Sequence, residues 1–272
     1  MEKQIEFVTK GRTLARYIGP GGDVAIPDGV AVIGGTAFSY SLNVTGATIP
    51  DGVCRIGTSA FFGCANLARI SIPDSVTEIH TGAFEGCSAL EDVSIPAGVA
   101  RIDDYVFEGC AGLERVVLPD GIREIGRSAF LRCTGLEDMS VPASTRRIGG
   151  HAFHGCIGLK SVELQEGTTR IGEYAFYGCT GLESIVIPAS VESIASHAFH
   201  GCIGLKRVVF LGGDTHIGED AFAICPNLTI RAPARSFGVR YAWKHGIPFE
   251  AMERQKDADP AAAPEEEADA PR

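Results

Sequence analysis

Phenylalanine recurs every 23 residues along this chain, at Phe38, Phe61, Phe84, Phe107, Phe130, Phe153, Phe176, Phe199 and Phe222. Eight of the nine follow an alanine, Val106 being the exception, and eight are followed three residues later by a cysteine, from Cys64 to Cys225. Ser41 takes that place in the first copy. Isoleucine keeps the same beat from Ile33 through Ile56 and Ile79 to Ile217, and no insertion breaks the register between Ile33 and Cys225. A strict period of this length is the mark of a repeat architecture and settles the fold before any local propensity is weighed.

The stretch LARISIPDSVTEIHTGAFEGC, from Leu67 to Cys87, is the best-formed unit. Leu67, Ile70 and Ile72 alternate and are cut off by Pro73, which suits a short strand whose ladder bonding stops at proline. Val76 with Ile79, and Ala83 with Phe84 and Cys87, form two further apolar groups. Three inward-facing groups in 23 residues cannot close a core alone, so the unit must stack on copies of itself. Gly34, Gly57, Gly126, Gly149, Gly172 and Gly218 follow the repeating isoleucine, where a turn of positive φ is expected; His80, Asp103 and Ala195 stand there in the other copies.

The pattern LxxIxIPxxVxxIGxxAFxGC resembles the BspA-like branch of the leucine-rich repeat family, known for bacterial surface proteins and for large sets in some protists. The resemblance covers roughly residues 26–230. It implies a β-rich leucine-rich-repeat solenoid of nine 23-residue repeats, a right-handed curved superhelix with a parallel β-sheet on its concave side. It implies no reaction, because fold and function are separate claims.

Residues 1–25 read as an N-terminal β-hairpin cap, with Phe7 to Val24 turning at Lys10-Gly11 and again at Gly19 to Gly22 and covering the first open edge. Residues 231–252 read as a C-terminal cap, in which Ser236 opens a short helix and Gly246 closes it before Ile247, Pro248 and Phe249 fold apolar surface back onto the last repeat. Residues 253–272 turn to alanine, proline and acid and are expected to be a disordered acidic tail.

Net charge is −10, from 24 basic and 34 acidic residues, and residues 257–272 supply −5 of it through six acids and one arginine. A mildly acidic body argues against nucleic acid as partner. Val30 to Pro50 carries no charge, yet its glycines, hydroxyls and Asn43 make it too polar to span a bilayer. The charged opening Met1 to Phe7 lacks the apolar run of an export signal, so no membrane insertion and a cytoplasmic location are expected, or surface exposure should the true N-terminus lie upstream.

Eight of the nine cysteines occupy one rung each, and rungs about 4.8 Å apart would set their sulfurs in a ladder. A ladder does not converge as tetrahedral zinc requires. Buried thiols donating to backbone, disulfides and metal remain the three readings, with the first preferred. Cys54, between Val53 and Ile56, is expected to face solvent. Two charged rows alternate in sign: Arg69, Asp92, Arg115, Asp138 beside the strand, and Arg55, Glu78, Arg101, Glu124, Arg147 before the isoleucine. Opposite charges on adjacent strands stabilise pairing by roughly 0.2–1 kcal/mol each, so both rows read as cohesion between repeats before ligand sites.

The most uneven row flanks the Ala-Phe pair: His151 and His154, Tyr174 and Tyr177, His197 and His200, in register on three consecutive repeats. Most other copies carry small or acidic residues there, such as Gly82 and Glu85. The string HAFHGCIGLK occurs identically at 151–160 and 197–206. Three readings stand open: a relic of duplicating two repeats, a partner-binding patch, and a His-x-x-His metal site unsupported by a nearby carboxylate or thiolate.

Asn43-Val44-Thr45 and Asn227-Leu228-Thr229 satisfy the glycosylation pattern, which means little without export. Gly19 to Gly22 lacks the lysine and helix of a phosphate loop, and no nucleophile elbow or metalloprotease helix occurs. The expected function is therefore a noncatalytic protein-protein interaction module presenting a rigid repeat surface to a protein partner, with no catalytic, cofactor-binding or metal residues. The alternatives are a bacterial cell-surface adhesin whose export signal is missing from this chain and, third, an enzyme of unknown type.

Overall fold

A strand of three or four residues leaves both of its edges unpaired within one 23-residue unit. In the computed structural model, which describes residues 6–253, those edges are taken up by the units before and after, and the chain winds into a β-solenoid of about ten turns. Each turn carries a strand ending near proline, such as Arg69–Ser71, then a two-residue strand, such as Glu78–Ile79, then the irregular segment bearing Phe84 and Cys87. Equivalent strands pair in parallel, 23 residues apart: Arg55 with Glu78, Ile56 with Ile79, Ser184 with Arg207 and Val186 with Val209. Two parallel ladders therefore run along the molecule, one more than the repeat pattern announces.

The irregular segments also bond rung to rung. The amide of Phe61 donates to Ala83 O at 2.8 Å, Phe107 to Ala129 O at 2.8 Å and Phe153 to Ala175 O at 2.7 Å. Backbone groups of the irregular segments thus find partners on the next rung, as a buried core demands. Inside, the nine repeat phenylalanines stack with centroids 4.7–5.5 Å apart and interplanar angles of 17° or less. Tyr17 continues the stack past Phe38 at 5.0 Å. Burying each ring contributes about 1.5–3 kcal/mol, and the buried isoleucine and leucine columns add comparable amounts per repeat.

Positive φ does not fall where the glycine pattern placed it. It falls two residues later, at Thr36, Ser59, Gly82, Tyr105, Ser128, His151, Tyr174, His197 and Asp220. The glycines after isoleucine are required by close approach instead: a Cβ at Gly57, Gly149, Gly172 or Gly218 would stand 2.5–2.7 Å from backbone atoms of the preceding rung. Pairing in the two-residue ladder is interrupted between Glu78–Ile79 and Arg101–Ile102. At that step His80 and Asp103 occupy the glycine position on successive rungs, and their side chains meet at 3.5 Å.

At the N-terminus the antiparallel hairpin is Phe7–Lys10 against Thr13–Tyr17, turning at Gly11 with φ 60°. The second expected turn, with Gly21 and Gly22 at positive φ, does not fold the chain back on the hairpin. It sends Gly22–Ala25 into the other ladder, parallel to Val44–Thr48, so Val24 belongs to the solenoid. At the far end a helix spans Phe237–Lys244; the Ser236 hydroxyl accepts from the Val239 amide at 3.2 Å, and Gly246 has φ 65°. Ile247 packs partly onto the core, whereas Phe249 is exposed, because Phe249–Met252 is a strand added beside Thr229–Pro233. The tail expected over residues 253–272 lies, from 254 on, outside the described residues.

Candidate functional site

Each repeat carries a tight turn just before its buried phenylalanine, and the turn residues point outward because the alanine and phenylalanine take the inward positions. His151 and His154 belong to one such turn, closed by the His154 amide donating to His151 O at 3.1 Å. Tyr174 with Tyr177, and His197 with His200, repeat the geometry at the same distance. The structure brings all six predicted residues into one cluster. His151, Tyr174 and His197 stack at 4.9 Å with interplanar angles of 12° and 13°. His154, Tyr177 and His200 form a second column at 4.7 and 5.1 Å. Within each rung the two rings are 5.4–5.7 Å apart.

All six side chains are half-buried, so ring faces are spent on neighbouring rings and the outer edges remain for contact. His151, Tyr174 and His197 hold left-handed backbone at φ 57–59°. That conformation costs a non-glycine residue on the order of 1–2 kcal/mol. Each ring pair returns about 0.5–1.5 kcal/mol, which offsets the strain.

The two Nδ1 atoms of His151 and His154 are 3.2 Å apart, a hydrogen bond that needs one of them protonated and the other bare. Burial lowers the pKa of both rings, and for His154 the adjacent His151 and Arg132 add to the effect; Arg127 lowers His151 while Glu173 opposes it. The Nδ1 atoms of His197 and His200 are buried without a hydrogen-bond partner among the described residues. Asp220 Oδ2 lies 3.9 Å from His197 Nε2. Among the described residues no group of three or more His, Cys, Asp or Glu is placed to hold a metal ion.

Two exposed isoleucines went unremarked in the sequence, Ile157 and Ile203, each three residues beyond a histidine of the cluster. The signal was available, since the same row reads Ala65, Ser88, Ala111, Thr134 and Thr180 in neighbouring copies.

The cysteine column is a ladder of free thiols. Each sulfur donates to the carbonyl of the phenylalanine 26 residues earlier, at 3.0 Å for Cys64 and 3.1 Å for Cys133 and Cys179. Burial pushes the thiols up, to about 11 for Cys64 and Cys225 and about 12 for Cys156. Cys54 is exposed.

The charged rows bond much as their alternation indicates, with Arg55 to Glu78 at 2.6 Å, Arg115 to Asp92 at 2.8 Å, and Glu124 within 3.8 Å of both Arg101 and Arg147. Arg69 departs from the pattern and bonds Asp23, two rungs back across Gly46. A further column, Lys160 to Glu137 at 2.7 Å and Lys206 to Glu183 at 3.0 Å, has the same 23-residue offset. Exposed pairs of this kind contribute about 0–1 kcal/mol each.

Stacked parallel rungs with a continuous ring core and variable outward rows define a repeat-built β-solenoid. The sequence model for the BspA type leucine rich repeat region (6 copies) matches residues 22–137 and 123–235, and the chain belongs to that family. Solved structures of similar fold include a leucine-rich repeat protein from Bacteroides ovatus, 29% identical over 84% of this chain and 77% of that one, with TM-score 0.46. Another is a leucine rich cell surface protein from Faecalibacterium prausnitzii, 26% identical over 85% and 87%, with TM-score 0.49. A leucine rich repeat protein of T. pallidum is 27% identical over 89% and 91%, with TM-score 0.45. No curated protein matches the sequence. No helix among the described residues is long and apolar enough to cross a membrane.

Proposed function

We propose that this protein is a noncatalytic interaction module that captures a protein partner through the six-ring cluster on its sixth to eighth repeats. The observation that carries this reading is the cluster's construction: six aromatic and imidazole rings on three consecutive rungs, half-buried, three of them in left-handed backbone. Duplication explains the repeated decapeptide but not the two tyrosines between its copies. Rings fixed by mutual stacking lose little entropy on binding, and tyrosine is enriched at interface cores. Ile157 and Ile203 add exposed apolar surface to the same repeats. The partner is a protein and not a nucleic acid, because most strand cations are matched by carboxylates. Nine free thiols favour a reducing compartment, hence the cytoplasm; thiols isolated in pairs as disulfides would favour the surface adhesin.

The test is capture by the immobilised full chain, compared with a variant carrying serine at all six positions and with Asp92→Ser/Arg115→Ser as a distant control. Circular dichroism should report an intact fold in each. Capture should fall at least tenfold for the first variant alone; undiminished capture would leave the row a relic of duplication.

A further inference from the structure

The strand row that begins Arg69, Asp92, Arg115 ends in Arg207, a cation that the row leaves without a charge partner. Arg69 holds Asp23 and Arg115 holds Asp92, but the partners of Arg207 across the ladder are Ser184 on one side and Thr229 on the other. No carboxylate lies within 4 Å of Arg207 among the described residues, and neither hydroxyl has a hydrogen-bond partner there. These three residues line an open recess of about 310 Å³ together with Glu183, Lys206, Arg231 and Glu250. The alternation of exposed and buried residues along Ser184–Ile187 and Arg207–Phe210 puts Ser184 and Arg207 on the outer face, with Val186 and Val209 two residues further on the same face.

We infer that this recess binds an acidic side chain of an extended peptide. A guanidinium flanked by two hydroxyls on neighbouring strands offers convergent donors to one oxyanion, with the planar fork that suits a carboxylate. The charge of the lining sets the valence: Lys206, Arg207 and Arg231 give three positive charges, Glu183 and Glu250 two negative, so the surplus is one. A single carboxylate neutralises it, whereas a doubly charged phosphate overshoots. Rows two residues apart on a strand are separated by about 6.6 Å, the spacing of alternate side chains in an extended ligand. A carboxylate over Ser184, Arg207 and Thr229 therefore places the residue two positions along the ligand over Val186 and Val209, which favours an aliphatic side chain there. The recess shares no residue with the ring cluster and does not rest on it.

The test is a titration of the ¹⁵N-labelled full chain with the blocked peptide Gly-Asp-Gly-Val-Gly, with its asparagine analogue, and with sodium sulfate. Expected is a saturable shift at the Arg207 Nε–H and the backbone amides of Ser184 and Thr229, with smaller shifts at Val186 and Val209 and none on the distant rungs. Arg207→Gln and the asparagine peptide should each weaken binding at least tenfold, with Arg207→Lys intermediate, because charge survives and the fork does not. Equal affinity for the asparagine peptide, unchanged binding to Arg207→Gln, equal shifts at Arg115, or tighter binding of sulfate than of the acidic peptide would each overturn the assignment. Circular dichroism of the variants secures the comparison, and capture of the ring-cluster partner by Arg207→Gln should be unaffected.

Discussion

The amide of Phe222 donates to the phenolic oxygen of Tyr241 at 3.2 Å, so a side chain from the closing helix takes over a bond that backbone makes everywhere else. On earlier rungs the same amide finds the carbonyl one residue before the next phenylalanine, as Phe199 finds Ala221 O at 2.7 Å. After the last rung there is no such carbonyl. The Tyr241 ring also meets Phe222 edge-on at 5.9 Å and 73°, ending the stack. Tyr241→Phe keeps the ring and orphans a buried amide, at a cost of about 1–3 kcal/mol. Tyr241→Ala should cost more, by exposing the last ring. Urea midpoints of the two variants check the order; a Tyr241→Phe protein as stable as the parent would show that water replaces the hydroxyl.

The thiol ladder makes a chemical prediction. Only the thiolate is nucleophilic, and the thiols from Cys64 to Cys225 are held in the protonated form by burial. Iodoacetamide at pH 8 should therefore label Cys54 alone in the native protein, with half-buried Cys225 following slowly. Denaturation without reductant should expose all nine. Mass spectrometry counts the additions, and rapid native labelling of Cys110 or Cys133 would contradict the packing described.

The register, the phenylalanine core, the sulfur ladder and the closing helix were legible because each depends on one residue type at one spacing. The two-residue ladder was not, since Arg55–Ile56 or Glu78–Ile79 is too short to show an alternation. The meaning of the glycines was misplaced by two residues for a physical reason: Gly57 and Gly149 yield to a neighbouring rung's backbone, and no single sequence distinguishes close approach from positive φ. All six members of the ring cluster were legible as a row. The left-handed backbone of His151, Tyr174 and His197 and the burial of two Nδ1 atoms were not, because both follow from how rungs stack.

Left-handed backbone at one register position divides substitutions there into two kinds. Ser59, with φ 53°, carries no ring of its own to stack on the adjacent rungs, so Ser59→Gly removes the strain and should stabilise by about 0.5–1 kcal/mol after the entropy cost of glycine. Tyr174, with φ 57°, touches His151, His197 and Tyr177. Tyr174→Gly relieves the same strain but forfeits three ring contacts and should destabilise. Chemical denaturation of both variants reads the sign directly, and a stabilising Tyr174→Gly would mean that the columns add nothing to the fold.

Acid should act on the fold through the same histidines. His151 and His154 have pKa values lowered in the native state, chiefly by burial, with Arg127 and Arg132 opposing a further positive charge and Glu173 favouring it at His151. The unfolded chain, with ordinary imidazoles near 6.5, therefore binds more protons than the native state as pH falls below that value. Stability contributed by these two rings is full above about pH 7.5, declines through about pH 6.5, and levels off once the native pKa values are passed. Protonating both rings also abolishes the Nδ1 to Nδ1 hydrogen bond. The variant His151→Gln/His154→Gln removes both titrations and leaves every other group in place. The difference in urea midpoint between parent and variant should thus shift against the parent from pH 7.5 to pH 5.5, with contributions from all other acids and bases cancelling. A difference that stays constant, or moves in the parent's favour, would show that these rings titrate freely in the native state and that their burial places no constraint on charge.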